Sequence, residues 1–374
     1  MKAASVVRRL YGTLRVAARN VERPDHYPEL AFRIGLAGLL ARHIEDPALA
    51  VDPGYLVAHR LHDTLLIENA HTVHEALGRA GIPHVFAKGI ALLGDRGPYR
   101  PGDRVISDVD LYVPLPTRKA AVAALRRGGY LPLPAEEQPG PPELRSALTL
   151  ARIEGTELER VTIDCHWGLD PVERLLPRRD RGLPAPMWDR IDRSADLPRP
   201  APEDHATILT HHLVHTDLLH VRSLFDLAFV LDGMDPDAVA TYHDTCRDLR
   251  IGMFAHAVSV IIERDIGIGG GTPAGQPPEH WTEFLRSLTL ERWLTLIATI
   301  APHEEGEITT RRIRRRLQLI DQGGAGSLAR DVFLPPVSFL RWRWPDRSLG
   351  QARLAHLRQL ARKLLSAAGR GGKR

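Results

Sequence analysis

Two aspartates stand two apart in Ser107-Asp108-Val109-Asp110, inside the apolar, β-branched run Val105–Val113. On a strand, residues i and i+2 share a face, so the spacing places Asp108 and Asp110 side by side. Carboxylates that close repel each other, and both stay ionised only with a cation between them. A surface strand with two acidic residues would read the same way, and a D-x-D pair alone does not separate the two cases. The surroundings add weight. Lys88-Gly89 closes an earlier strand-like run, His84-Val85-Phe86-Ala87, and opens a helix. A glycine at such a turn lets the backbone approach a phosphate. Arg96, Arg100 and Arg104 lie in the loop that follows. A third carboxylate, Asp164, sits in Arg160–Leu169, where His166 shares its face and Ile163 and Cys165 share the other. Three carboxylates on adjacent strands beside a glycine turn can hold two Mg²⁺ ions about 3.5–4 Å apart, the arrangement for in-line phosphoryl or nucleotidyl displacement.

The elements that would position these groups follow from patterning. Residues 1–80 read as a helical region, with apolar spacing near 3.6 from Leu30 to Ile67. Residues 81–170 alternate strand, helix, strand, helix, strand, with 117–127 as an amphipathic helix stopped by Gly128-Gly129 and 131–142 as a Pro-rich loop. Residues 171–202 are rich in Pro, Arg and Asp and read as a connecting segment with little structure of its own. A helical domain is expected over 203–301, then a basic helical tail over 302–374. The fold expected is α+β, a small mixed sheet flanked by N-terminal and C-terminal helical domains.

The motifs VFAKGIALL, RVISDVDLYV, a helix ending in Gly-Gly-Tyr, and VTIDCHWGL occur in that order. Together they resemble the uncharacterised nucleotidyltransferase family of the polymerase-β-like nucleotidyltransferase superfamily, over about Gly81 to Asp232 and more loosely around Phe333–Leu365. The resemblance implies that Asp108 and Asp110 bind metal. It makes Asp164 the third carboxylate, as general base or second-metal ligand. Gly89 falls where the superfamily places its phosphate-cradling Gly-Ser turn; with Lys88-Gly89 here, Lys88 is the candidate phosphate contact, beside Ser107 and Arg104. His166, Arg100, Arg222 and Asp226 are candidate substrate contacts. For Arg222 and Asp226, four apart, an ion pair within one helix is the structural alternative. The implied cofactor is Mg²⁺ or Mn²⁺. The implied reaction moves a nucleoside monophosphate from an NTP, with ATP the default, to an acceptor, releasing pyrophosphate. A small molecule is the favoured acceptor, with RNA or protein next.

Composition limits the alternatives. The 374 residues carry 50 Lys+Arg and 46 Asp+Glu, a net +4. Residues 311–374 hold 16 basic and 3 acidic residues, so a −9 body precedes a +13 tail. The tail's RRIRRR and RWRWPDR could contact RNA through charge and stacking, or dock onto the acidic body. Only Cys165 and Cys246 are present, which excludes a disulfide scaffold and a Cys-based zinc cluster. No apolar run reaches the ~18–20 residues of a membrane span, and the expected location is cytoplasmic. His205, His211, His212, His215 and His220 crowd one helical stretch without a H-E-x-x-H pattern, and read as packing or capping residues. Two rival functions remain: a catalytically inactive nucleotidyltransferase fold kept for binding or scaffolding, and a His-based metal phosphohydrolase.

Overall fold

The computed structural model describes residues 2–20, 22, 24–49, 51–94, 97–134, 147–153, 160–169, 182–215, 221–249, 251–268, 289–291, 294 and 347–358. The basic clusters of the tail lie outside the described residues. Before the sheet come α1 (Lys2–Asn20), α2 (Tyr27–Arg33), α3 (Ala37–His43) and α4 (Pro53–Arg79). The start of α4 is locally encoded: the Asp52 side chain accepts from the Gly54 and Tyr55 amides, and Pro53 occupies the first turn. Leu66, Ala70, Val73 and Leu77 form its buried stripe.

Five strands make one mixed sheet: β1 (Val85–Ala87), β2 (Val109–Tyr112), β3 (Leu131–Pro132), β4 (Ala147–Ile153) and β5 (Arg160–His166), in the order β1-β2-β5-β4-β3. Only β2 and β5 run parallel; the other pairs are antiparallel. Between strands lie α5 (Lys88–Ala91) and α6 (Arg118–Arg127). After the sheet come α7 (Ala185–Asp189), α8 (Pro202–His215), α9 (Val221–Asp232), α10 (Pro236–Asp248) and α11 (Gly252–Ile261). No described helix is long and apolar enough to cross a membrane.

The sheet differs from the sequence reading in three places. Residues 105–108 are not in β2, because their backbone is engaged elsewhere: the Val105 amide donates to Gly35 O at 3.0 Å, and Val105 O accepts from Arg222 Nη1 at 2.7 Å. Strands β3 and β4 were not anticipated, and the Pro-rich loop expected from 131 begins as a strand. β4, Ala-Leu-Thr-Leu-Ala-Arg-Ile, has little β-branched content and owes its conformation to pairing with β5 along its whole length. Third, the described part of the connecting segment packs on the sheet: Leu183, Met187 and Ile191 cluster with Val85, Ala87 and Tyr112.

Alternation within β2 and β5 divides the two faces. Val109, Leu111, Val161, Ile163 and Cys165 are in the main core, at most 1% exposed. Asp110, Tyr112, Asp164 and His166 are on the other face. The segment leading into β2 is gripped by the N-terminal helices. The Leu39 amide donates to Asp103 O at 2.8 Å, Arg42 pairs with Asp103 at 2.5 Å, and the Gly102 amide donates to Asp63 Oδ2 at 2.7 Å. The approach needs a glycine on α3, since a Cβ on Gly38 would lie 1.9 Å from Gly102 O.

Asp63 is fully buried, and its Oδ1 has no hydrogen-bond partner among the described residues. Burial, reinforced by Asp103, pushes its pKa from 3.8 up to about 6, against the Gly102 amide and Arg104. The raised value means that folding favours the protonated acid. This contribution is complete below pH 4 and is lost as pH rises through 6. Asp63→Asn keeps an acceptor for Gly102 and removes the buried charge. Its urea midpoint should match wild type near pH 4 and exceed it at pH 7, with a gain of up to about 3 kcal/mol from a shift of this size. A gain that does not grow with pH refutes this.

Candidate nucleotidyl-transfer site

Register brings the chemistry together. In the parallel pair β2–β5, Asp110 lies opposite Asp164 and Tyr112 opposite His166. Asp110 also faces Ala87 of β1, the residue before Lys88. Ligand atoms of Asp110, Asp164 and His166 all come within 4.8 Å of one another. The His166 ring stacks on Tyr112, centroids 4.7 Å apart at 15°. Its Nε2 lies 3.2 Å from Asp110 Oδ1. An ionised carboxylate can only accept, so Nε2 carries the hydrogen, and the buried Nδ1 has no partner among the described residues. Thr149 of β4 donates its hydroxyl to Asp164 Oδ1 at 2.7 Å and orients that carboxylate. Thr149 escaped the sequence reading because its strand did.

A cavity of about 100 Å³ opens beside this trio. Lys88, Gly89, Arg104, Ser107, Asp108, Asp110, Arg222 and Asp226 line it, joined by Ile106, Leu209, His212 and Ser223 from the sheet side and from α8 and α9. Eight of the eleven residues singled out in the sequence therefore share one cavity, with Asp164 and His166 beside it. Arg100 is exposed and does not line it; its amide donates to Asp103 Oδ2 at 2.7 Å. Arg96 lies outside the described residues. Asp108 borders the cavity but is not part of the trio, and Ser107 Oγ bonds its Oδ1 at 3.1 Å.

The carboxylates are electrostatically unequal. Burial, then repulsion from Asp110 and Asp164, pushes the Asp108 pKa up to about 6. Burial also works against charge on Asp110, but Lys88 and His166 outweigh it and hold Asp110 well below the usual carboxylate range. Lys88 Nζ lies 2.6 Å from Asp110 Oδ1, with side-chain exposures of 13% and 6%. Burial opposes the ammonium, yet Asp110, Tyr112 and Asp108 keep its pKa above the ordinary lysine value.

Arg104, expected at phosphate, and Arg222, expected at substrate, have different settings. Arg104 forks onto Asp226, with Nε to Oδ1 at 2.8 Å and Nη2 to Oδ2 at 2.6 Å, and both side chains are buried. Asp226 is thus held by Arg104 and not by Arg222, the intrahelical pairing considered as the structural alternative. A Cβ at Gly89 would come within 2.6 Å of Arg104 Nη1, so a side chain there would push against the guanidinium held by Asp226. Arg222 holds Val105 O through Nη1, and its buried Nε has no partner among the described residues. Burial, followed by the like charge of Arg104, lowers its pKa.

The histidines of α8 do not form a metal cluster among the described residues. His205 is buried with no partner for Nε2 among the described residues, and burial lowers its pKa to about 4, so it is neutral. His211 is buried and His212 reaches the cavity. The side chain of His215, and His220, lie outside the described residues.

Oxygen donors from two aspartates fit Mg²⁺ or Mn²⁺, and the imidazole nitrogen suits Mn²⁺ better than Mg²⁺. The Arg104–Asp226 pair makes a separate prediction. Arg104→Met strands the Asp226 carboxylate and should lower unfolding stability by about 3–5 kcal/mol, with part recovered in Arg104→Met/Asp226→Leu. Strictly additive losses in urea titrations would contradict this coupling.

No curated protein and no solved structure matches this chain. A family model described as "Uncharacterised nucleotidyltransferase" matches residues 22–264, extending on both sides of the motifs that suggested it. With well over half of its length inside that match, the chain belongs to the uncharacterised nucleotidyltransferase family.

Proposed function

We propose that the protein transfers a nucleoside monophosphate from an NTP to a small-molecule acceptor and releases pyrophosphate, with Mg²⁺ or Mn²⁺ bound at the site. One observation carries this reading: Asp110 and Asp164 are register partners on the two parallel strands, beside a cavity that also presents Lys88 and Arg222. Asp110, Asp164 and His166 would hold the cation, with Asp108 at the cavity wall able to join them. Bound there, a divalent cation neutralises phosphate charge and stabilises the displacement.

The chain's own groups supply the remaining requirements. Arg222 would bind phosphate oxygens through its Nε, which has no partner among the described residues, as a charge-assisted donor. Ser107 and Lys88 are further donors at the cavity. Asp164 would accept the proton of the acceptor hydroxyl as its oxygen bonds the α-phosphorus and the bond to pyrophosphate breaks. Thr149 fixes the orientation of that base. Leu209 and His212 of α8, facing the sheet residues across the cavity, would contact the nucleoside or the acceptor. In this reading 81–170 is the catalytic core, and the helices before and after it form its walls. ATP is the default nucleotide.

A second reading has an observation of its own. The ammonium of Lys88 already neutralises Asp110, as it would in a fold retained only for binding. Mg²⁺-dependent NTP binding by calorimetry separates the two, and its absence in the wild type would sink the enzymatic reading. Purified protein incubated with labelled NTPs and cell extract should label the acceptor. Asp110→Asn and Asp164→Asn should each cut pyrophosphate release at least about a hundredfold while leaving the circular dichroism spectrum unchanged. Arg222→Gln should weaken NTP binding by about tenfold or more, and unaltered NTP affinity would remove Arg222 from the phosphate site.

A further inference from the structure

We propose that Lys88 is a built-in counter-ion for the metal site: it occupies Asp110 while no divalent cation is bound, and is displaced onto the nucleotide phosphates when one binds. This rests on the nucleotidyl-transfer reading and adds to it a mechanism by which the empty site is kept folded and the loaded site gains a phosphate ligand.

Three observations support it. First, the contact uses the atom a cation would need. Lys88 Nζ is 2.6 Å from Asp110 Oδ1, and His166 Nε2 is 3.2 Å from the same oxygen. Asp110 belongs to the one trio of potential ligands found among the described residues. An ammonium and a divalent cation cannot both hold that oxygen without strong mutual repulsion.

Second, the backbone of Lys88 is strained. Its φ is +51°, and among the described residues only Glu22 is another non-glycine with positive φ. A side chain there costs about 1–2 kcal/mol relative to glycine. The neighbouring position is glycine, so the turn itself has no need of a lysine. Strain of this kind persists where the surroundings over-determine it, and the side chain carried by this strained residue ends on Asp110.

Third, the displaced ammonium has somewhere to go. Lys88 lines the same cavity as Arg222 and Ser107, and its four-carbon stem is flexible. Removing the ammonium from Asp110 is offset when it meets phosphate charge. Metal and nucleotide would therefore assist each other through this one side chain.

A fixed structural ion pair predicts something different, because it would only join the β1–α5 turn to β2. The test uses the full-length protein with Mn²⁺ as the probe, first by calorimetry without nucleotide. Lys88→Met, and Lys88→Gln as the version that retains a hydrogen-bond donor, should bind Mn²⁺ about tenfold more tightly than wild type. At saturating Mn²⁺, the same variants should bind a non-hydrolysable ATP analogue about tenfold more weakly. Opposite signs for metal and nucleotide are the signature. In wild type, reductive methylation of Lys88, followed by mass spectrometry, should accelerate when Mn²⁺ is added. If wild type binds Mn²⁺ and the variants bind it no more tightly, or methylation of Lys88 does not change, the counter-ion role is overturned while the nucleotidyl-transfer reading stands. If neither wild type nor variants bind Mn²⁺, both fall.

Discussion

Crowding of negative charge at one end of β2 and β5 is the constraint around which the molecule is arranged. Asp110 and Asp164 lie close enough to Asp108 to push its pKa up, in a region that burial makes hostile to charge. A folded chain can keep such a group only by placing cations beside it. Lys88 meets that need at Asp110, while Ser107 and Thr149 hydrogen-bond the other two carboxylates. Each of the three carboxylates thus has a partner, and Asp110 and Asp164 with His166 form a group that could hold a metal ion.

The second layer of support is also electrostatic. Arg104 and Asp226, both lining the cavity, bond through two hydrogen bonds, and Arg222 grips the backbone of the segment that enters β2. The N-terminal helices hold that segment from the opposite side through Leu39, Arg42 and Asp63. Residues 102–105 are therefore fastened at both flanks before the chain reaches Asp108. This explains why 105–108 are irregular yet well placed: their position comes from helices, not from the sheet.

Much of this was legible in the sequence, and the failures share a cause. Period-two alternation assigned the faces of β2 and β5 correctly, because Leu111, Ile163 and Cys165 must be buried and their neighbours are polar. The placement of Asp110 beside Asp164 follows once both strands are found. By contrast, β4 carries no strand signal of its own and exists through long-range pairing. Arg104 reads as a loop cation fit for phosphate, since nothing nearby in sequence reveals a carboxylate partner 122 positions on. For the same reason the i, i+4 spacing of Arg222 and Asp226 suggested a local pair that the tertiary structure replaces. Local patterns report periodicity and turn chemistry; they do not report which distant charge arrives to neutralise a buried one.

That distance has a consequence for the order in which the molecule matures. Ribosomal synthesis adds about 5–20 residues per second, so roughly 6–24 s separate the emergence of Arg104 from that of its partner Asp226. Until then the guanidinium has no carboxylate to compensate its burial, and water is the better solvent for it. Strand pairing does not depend on α9, but the floor of the cavity closes only when α9 has been made. A nascent chain long enough to contain every carboxylate of the site would still lack the support beneath them. The Arg104–Asp226 lock thereby makes the competent site a late product of translation.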